Sequence, residues 1–180
     1  MNIDPRLAAA EDLLRATGAA GIDHPGGTLL DHLFRVRALL DEWGAPRDVQ
    51  LAGLCHAAYG TDGFAVTLLD TTERSTLAGA IGEPAEALVY LYCSCDRAST
   101  YPQMGQDVVV VKDRFTGETV TPDLDALGGF AEITAANELD VVRHNADIAE
   151  RHGAGLLRLV ERARAHLSDA ALRAWRVPVR

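Results

Sequence analysis

The residues best suited to chemistry in this chain are histidines set among apolar neighbours. His32 follows Thr28 and Asp31 at i+4 and i+1, so the three share one face of a helix. His56 lies in Leu51-Ala52-Gly53-Leu54-Cys55-His56-Ala57, and Tyr59 follows it by three residues. Neutral imidazole ligates metals and exchanges protons near neutral pH, and a carboxylate such as Asp31 orients it or joins it as a ligand. His56, Tyr59 and Asp31 are therefore the catalytic candidates. His32 and His56 are the metal candidates, for one divalent ion of the Zn or Fe kind. His24, Thr28, Thr61, Arg97 and Asn137 are the candidates for holding substrate. A lone histidine on an apolar helix is more often a satisfied core residue. Here several polar groups gather on segments that otherwise read as core, and buried polar groups cost ~1–3 kcal/mol each when unpaired.

The elements that must position these groups read as helices. Apolar spacing predicts helices over 5–17, from the cap Thr28 to Trp43, over 47–59, from Thr71 or Thr72 to Ile81, and over 83–95. Pro25-Gly26-Gly27 marks a loop before the second helix. Val108–Val111 and Glu118–Val120 flank a glycine-containing turn and predict a β-hairpin at about 107–120. A long helix follows from Leu124 to about Glu150, with a potential interruption at Gly128-Gly129. Two more cover 155–166 and 168–175. The expected fold is all-α, one domain over 1–180, a helical bundle with one small β-hairpin insertion.

Composition sets the outer limits. The chain has 180 residues, 48% hydrophobic and 24% charged, the balance of an ordinary globular domain. A net charge of −9 with a single lysine, Lys112, argues against nucleic acid as a partner. No apolar run is long enough to span a bilayer, and no basic-then-apolar leader opens the chain. The expectation is a cytoplasmic protein with a small-molecule substrate, no membrane partner and the potential to form a homodimer. Three cysteines at 55, 93 and 95, an odd count without a CxxC spacing, predict free thiols.

The order of these motifs resembles the HD superfamily. Leu29–Val36 looks like its first histidine helix, Leu51–Ala57 like its His-Asp helix, and Ala135–Asp140 like its late Asp element. His56, Tyr59 and Thr61 are also similar to the HxxYGT signature of an uncharacterised HD-like bacterial family. The resemblance implies an HD-like bundle with a metal-centred pocket, and it departs at two ligand positions. Ala57 and Asn137 stand where the superfamily has carboxylates, which argues against a two-metal phosphohydrolase. Asp31, Asp140 or His144 are the replacements the sequence offers. The resemblance names no reaction; the polar set on core-like helices predicts a small-molecule enzyme of hydrolase, lyase or oxygenase type, with specialised metabolism as a candidate setting. The alternative is a catalytically degenerate ligand- or partner-binding domain.

Overall fold

The computed structural model describes residues 4–176 and is mostly helical. The long helices are α1 (Pro5–Ala16), α2 (Leu29–Glu42), α3 (Arg47–Leu54), α4 (Arg74–Ile81), α5 (Glu83–Ser94), α7 (Leu124–His144), α8 (Ala146–Arg162) and α9 (Asp169–Arg176). A single turn, α6 (Arg97–Thr100), follows α5. The described residues also form two antiparallel two-stranded ribbons: β1 (Asp23–His24) with β2 (Gly27–Thr28), and β3 (Val111–Lys112) with β4 (Thr119–Val120). Among the described residues, no helix is long and apolar enough to cross a membrane.

α2 packs on both α3 and α7, α3 packs on α5 and α7, and α7 carries α8. Helix α2 starts at a capping box, in which Thr28 accepts from the Asp31 backbone and Asp31 accepts from that of Thr28. Its Leu29, Leu33, Val36 and Leu40 then turn one face into the core, and His32 lies on that face. The close approach of α2 to α3 depends on Gly53, because a Cβ there would run into Leu40.

Several boundaries differ from expectation. α3 stops at Leu54, so His56 and Tyr59 lie in a series of turns and not on a helix. Those turns are closed by the Ala58 and Gly60 amides, which donate to Cys55 and Ala57, and Gly60 adopts φ +69°. Gly128-Gly129 does not interrupt α7. A Cβ on Gly129 would meet Leu88 Cδ2 at 2.8 Å, so the glycine serves the packing of α5 against α7. The predicted long helix instead ends at His144, where the Asn145 side chain accepts from the Ile148 amide and starts α8. Gly155 accordingly falls inside α8. The Pro25-Gly26 segment is a tight hairpin turn, with Pro25 followed by Gly26 at φ +80°.

Candidate functional site

A cavity of about 440 Å³ opens where α2, the turns after α3, α7 and α8 meet. His24, His32, His56, Thr61, Arg97 and Asn137 all line it. Its apolar wall includes Leu29, Phe64, Val141, Ile148 and Leu156, and Tyr101, Glu138 and His152 add polar groups.

Both central imidazoles are fixed from behind. His56 is 2% exposed, and its Nδ1 lies 2.7 Å from the Gly53 carbonyl, one of the carbonyls that the end of α3 leaves without an intrahelical partner. A carbonyl only accepts, so Nδ1 carries the hydrogen and Nε2 presents its lone pair. The Cys93 thiol donates to the His56 carbonyl at 3.1 Å and holds the same turn in place. Burial, with His32 beside it, lowers the His56 pKa to about 3 and keeps the ring neutral.

His32 is 1% exposed, and its Nδ1 lies 2.6 Å from Asp140 Oδ2. Burial works against the Asp140 charge, yet the bonds from His32 and Arg35 outweigh it and lower the carboxyl pKa to about 2. Arg35 grips both Asp140 oxygens, at 2.8 and 3.0 Å, and donates to the carbonyls of Pro25 and Gly26. One arginine thereby ties the β1–β2 turn to the carboxylate that aims His32.

His32 Nε2 faces His56 Nε2 at 3.3 Å and Asn137 Oδ1 at 3.1 Å. The Asn137 amide is oriented by its other end, where Nδ2 donates to Glu138 Oε1 at 3.1 Å. The converging atoms are thus an amide oxygen and two imidazole nitrogens. When both rings are neutral and carry their hydrogen on Nδ1, none of the three has a hydrogen to offer the others. A proton or a metal cation placed among them satisfies all three. Tetrahedral ligands at ~2.0–2.1 Å from zinc stand about 3.3–3.4 Å apart, close to the two observed separations. The donor set therefore fits one ion of a metal that accepts imidazole. It does not fit an oxygen-ligated pair of metals, because it contains no anionic ligand.

The expected two-histidine, one-carboxylate set is not formed. Among the described residues, no three His, Cys, Asp or Glu side chains are grouped to hold a metal ion. Asp140 occupies the outer position behind His32, and His144 Nδ1 bonds the Asp140 backbone carbonyl at 2.8 Å. Asp31 is exposed and engaged in the α2 capping box, so it is neither ligand nor base here. Thr28 is the other half of that box and does not line the cavity. Tyr59 also lies apart from the cavity. Its hydroxyl donates to Glu86 Oε1 at 2.9 Å, and burial with that bond raises its pKa. The helix spacing that would have set Tyr59 beside His56 fails because α3 has already ended.

His24 stacks on His32 with ring centroids 4.1 Å apart and meets Phe64 edge-on at 5.4 Å. Burial, followed by the neighbouring His32, lowers its pKa to about 4, so it too is neutral. The cysteines are free and buried, and burial raises Cys55 and Cys93 to about 12 and Cys95 to about 11. None is a reactive thiolate. Sequence reasoning had no role for Arg35, Glu138 or Tyr101, and gave Asp140 only that of a substitute ligand. Asn137 and Asp140 at i, i+3 on an apolar helix were the available signal.

No curated protein and no solved structure matches the chain. A family model described as a domain of unknown function, DUF6817, matches residues 13–97, a stretch that carries His24, His32, His56 and Arg97 but ends before Asn137, Glu138 and Asp140.

Proposed function

We propose that the cavity is the active site of an enzyme acting on a small metabolite, with His32 and His56 as its reactive groups. One observation carries the reading: His32 Nε2 lies 3.3 Å from His56 Nε2 and 3.1 Å from Asn137 Oδ1 at the wall of a cavity large enough for a metabolite. A histidine serving only the core would have both nitrogens matched to fixed partners. Here the back of each ring is locked, and the two front nitrogens meet each other at the cavity wall with no hydrogen of their own to share.

The HD-like order of the motifs supports the same reading, with Asn137 and Ala57 in the positions of lost carboxylates. His32 takes or gives a proton at Nε2, and Asp140 stabilises the charged ring, an arrangement worth ~10²–10⁴ in rate. His56 stays neutral and accepts a hydrogen bond. If one zinc- or iron-type ion is the resident cofactor, His32, His56 and Asn137 would hold it, and it would supply Lewis acidity to a substrate oxygen. Hydrolysis, elimination or oxygenation of a small molecule are the chemistries compatible with this centre.

The test is turnover in a metabolite extract followed by mass spectrometry, comparing the native chain with His56→Ala. A compound consumed by the native protein and spared by the variant supports the reading. No such compound, across extracts supplemented with Zn or Fe, sinks it in favour of a catalytically inert ligand-binding domain. The absence of any carboxylate from the converging set favours that second reading. Elemental analysis separates the two versions of the centre: about one ion per chain, lost in His32→Ala, identifies the metal form.

A further inference from the structure

We infer that Arg97 and Tyr101 form a carboxylate subsite, so that the ligand of this cavity is a small monocarboxylate with an apolar body. The inference rests on reading the cavity as a substrate site. Arg97 lines the cavity from the start of α6, its amide held by Asp62 at 2.9 Å. Its guanidinium has five N–H donors. One bonds Glu138 Oε1 at 3.1 Å and one bonds the Tyr92 hydroxyl at 3.2 Å. The Glu138 contact is through a single oxygen, the same one that receives the Asn137 amide, so the arginine fork is not closed by a two-oxygen partner.

Tyr101 supplies the second observation. Its hydroxyl is buried without a hydrogen-bond partner, and the Arg97 guanidinium lies 5.7 Å from its ring centre. An orphaned buried hydroxyl is costly and calls for an acceptor. A carboxylate offers two oxygens to the fork, and a small shift of the Tyr101 side chain, which lines the cavity, would bring its covered hydroxyl to a carboxylate lone pair.

The charge of the ligand follows from its surroundings. Among the described residues, Arg97 is the one arginine in the lining, and Glu138 already leans on it. A phosphate monoester brings ~1.5–2 negative charges and wants several cations or a helix N-terminus. The described lining holds no second arginine and no lysine, α6 is one turn long, and the starts of α2 and α8 at the cavity edge are already capped by Thr28 with Asp31 and by Asn145. Leu29, Phe64, Val141, Ile148 and Leu156 surround the rest of the space and suit an apolar or aromatic body.

Binding of benzoate, benzamide and phenyl phosphate to the full chain, measured by calorimetry, tests this. Benzoate is expected to bind at least about tenfold more tightly than either other probe. Tyr101→Phe should weaken benzoate a few-fold and leave benzamide unchanged. Arg97→Gln alone leaves Glu138 unbalanced and risks unfolding, so Arg97→Gln with Glu138→Gln is the second variant. Loss of the benzoate preference in it supports the subsite. Equal binding of benzamide, tighter binding of phenyl phosphate, retention of the preference in the double variant, or no binding of any probe overturns it. An Arg97-dependent preference without turnover in extracts leaves the subsite standing and removes the enzyme reading. Turnover without the preference does the reverse.

Discussion

Asp140 Oδ2 sits 2.6 Å from His32 Nδ1, and this one bond decides which way the imidazole presents its other nitrogen. The carboxylate is itself held by Arg35 through both oxygens. Replacing Asp140 by Asn keeps the shape, removes the charge and leaves Arg35 without its partner. Breaking a buried pair costs ~3–5 kcal/mol, and Arg35 keeps 26% exposure, so a loss of about 3 kcal/mol is expected. For a chain of this size that corresponds to a fall in Tm of about 6–12 °C. Turnover of any identified substrate should fall by ~10²–10⁴, because the amide does not enforce the hydrogen on Nδ1. Thermal melts and single-turnover rates on Asp140→Asn check both numbers.

Acid should reveal the same pair. The Asp140 carboxyl titrates at about 2 in the folded chain, below the ~3.9 of an unfolded aspartate. A lowered carboxyl contributes stability that is complete above the unfolded value. It is lost as the pH falls through about 4 towards 2. Melting curves of the native chain and Asp140→Asn from pH 7 to pH 2.5 should therefore converge as the pH drops. A gap that stays constant over that range contradicts the assignment.

Asn137 invites reversion to a carboxylate, and its surroundings explain why Asn137→Asp alone should fail. The amide nitrogen donates to Glu138 Oε1 at 3.1 Å, so an aspartate would set two carboxylates against each other. The single variant is expected to lose ~1–3 kcal/mol. Glu138→Gln added to it restores a donor opposite the new carboxylate and should recover most of the loss, a coupling of ~0.5–3 kcal/mol in a double-mutant cycle. The double variant should also hold zinc about tenfold more tightly in a chelator competition, since one ligand has become anionic.

The helices are legible because their apolar residues recur at helical spacing and α2 opens on the cap residue Thr28. What local sequence did not disclose were features set by packing between elements. Gly128-Gly129 looks like a break until Leu88 is seen against it. The stop at Leu54 has no strong local marker, and with it went the placement of Tyr59. Residue type and motif order single out His32, His56 and Asn137, and His32 lies against each of the other two. The partners that aim them, Asp140, Glu138 and Arg35, depend on how α7 is rotated against α2, which periodicity does not fix. Asp31 differs from the expectation for the opposite reason, since helix-start chemistry alone accounts for it.

Tyr59→Phe distinguishes this arrangement from the one the sequence suggested. The hydroxyl faces Glu86, which Arg74 also holds with two bonds of 2.7 Å. Removing it costs one hydrogen bond, ~0.5–1.5 kcal/mol, and leaves Glu86 paired. Turnover and ligand binding should be unchanged. A rate loss of tenfold or more would return Tyr59 to the catalytic set.

The turn over His32 should be the most sensitive remote point. Gly26 sits at φ +80°, where an alanine costs ~1–2 kcal/mol in backbone strain alone. Its Cβ would also meet the His144 ring at 2.7 Å, and that ring is held by the Asp140 carbonyl. The turn has little room to give, because Arg35 holds both the Pro25 and Gly26 carbonyls. Gly26→Ala is therefore expected to lift the hairpin, carrying His24 off the face of His32 and loosening the Arg35 grip on Asp140. Substrate affinity and turnover should both fall, although position 26 donates no side chain to the chemistry. The ring-proton shifts of His24 and His32 in NMR spectra report the stacking directly, and their persistence in the variant would show that the turn tolerates the extra carbon.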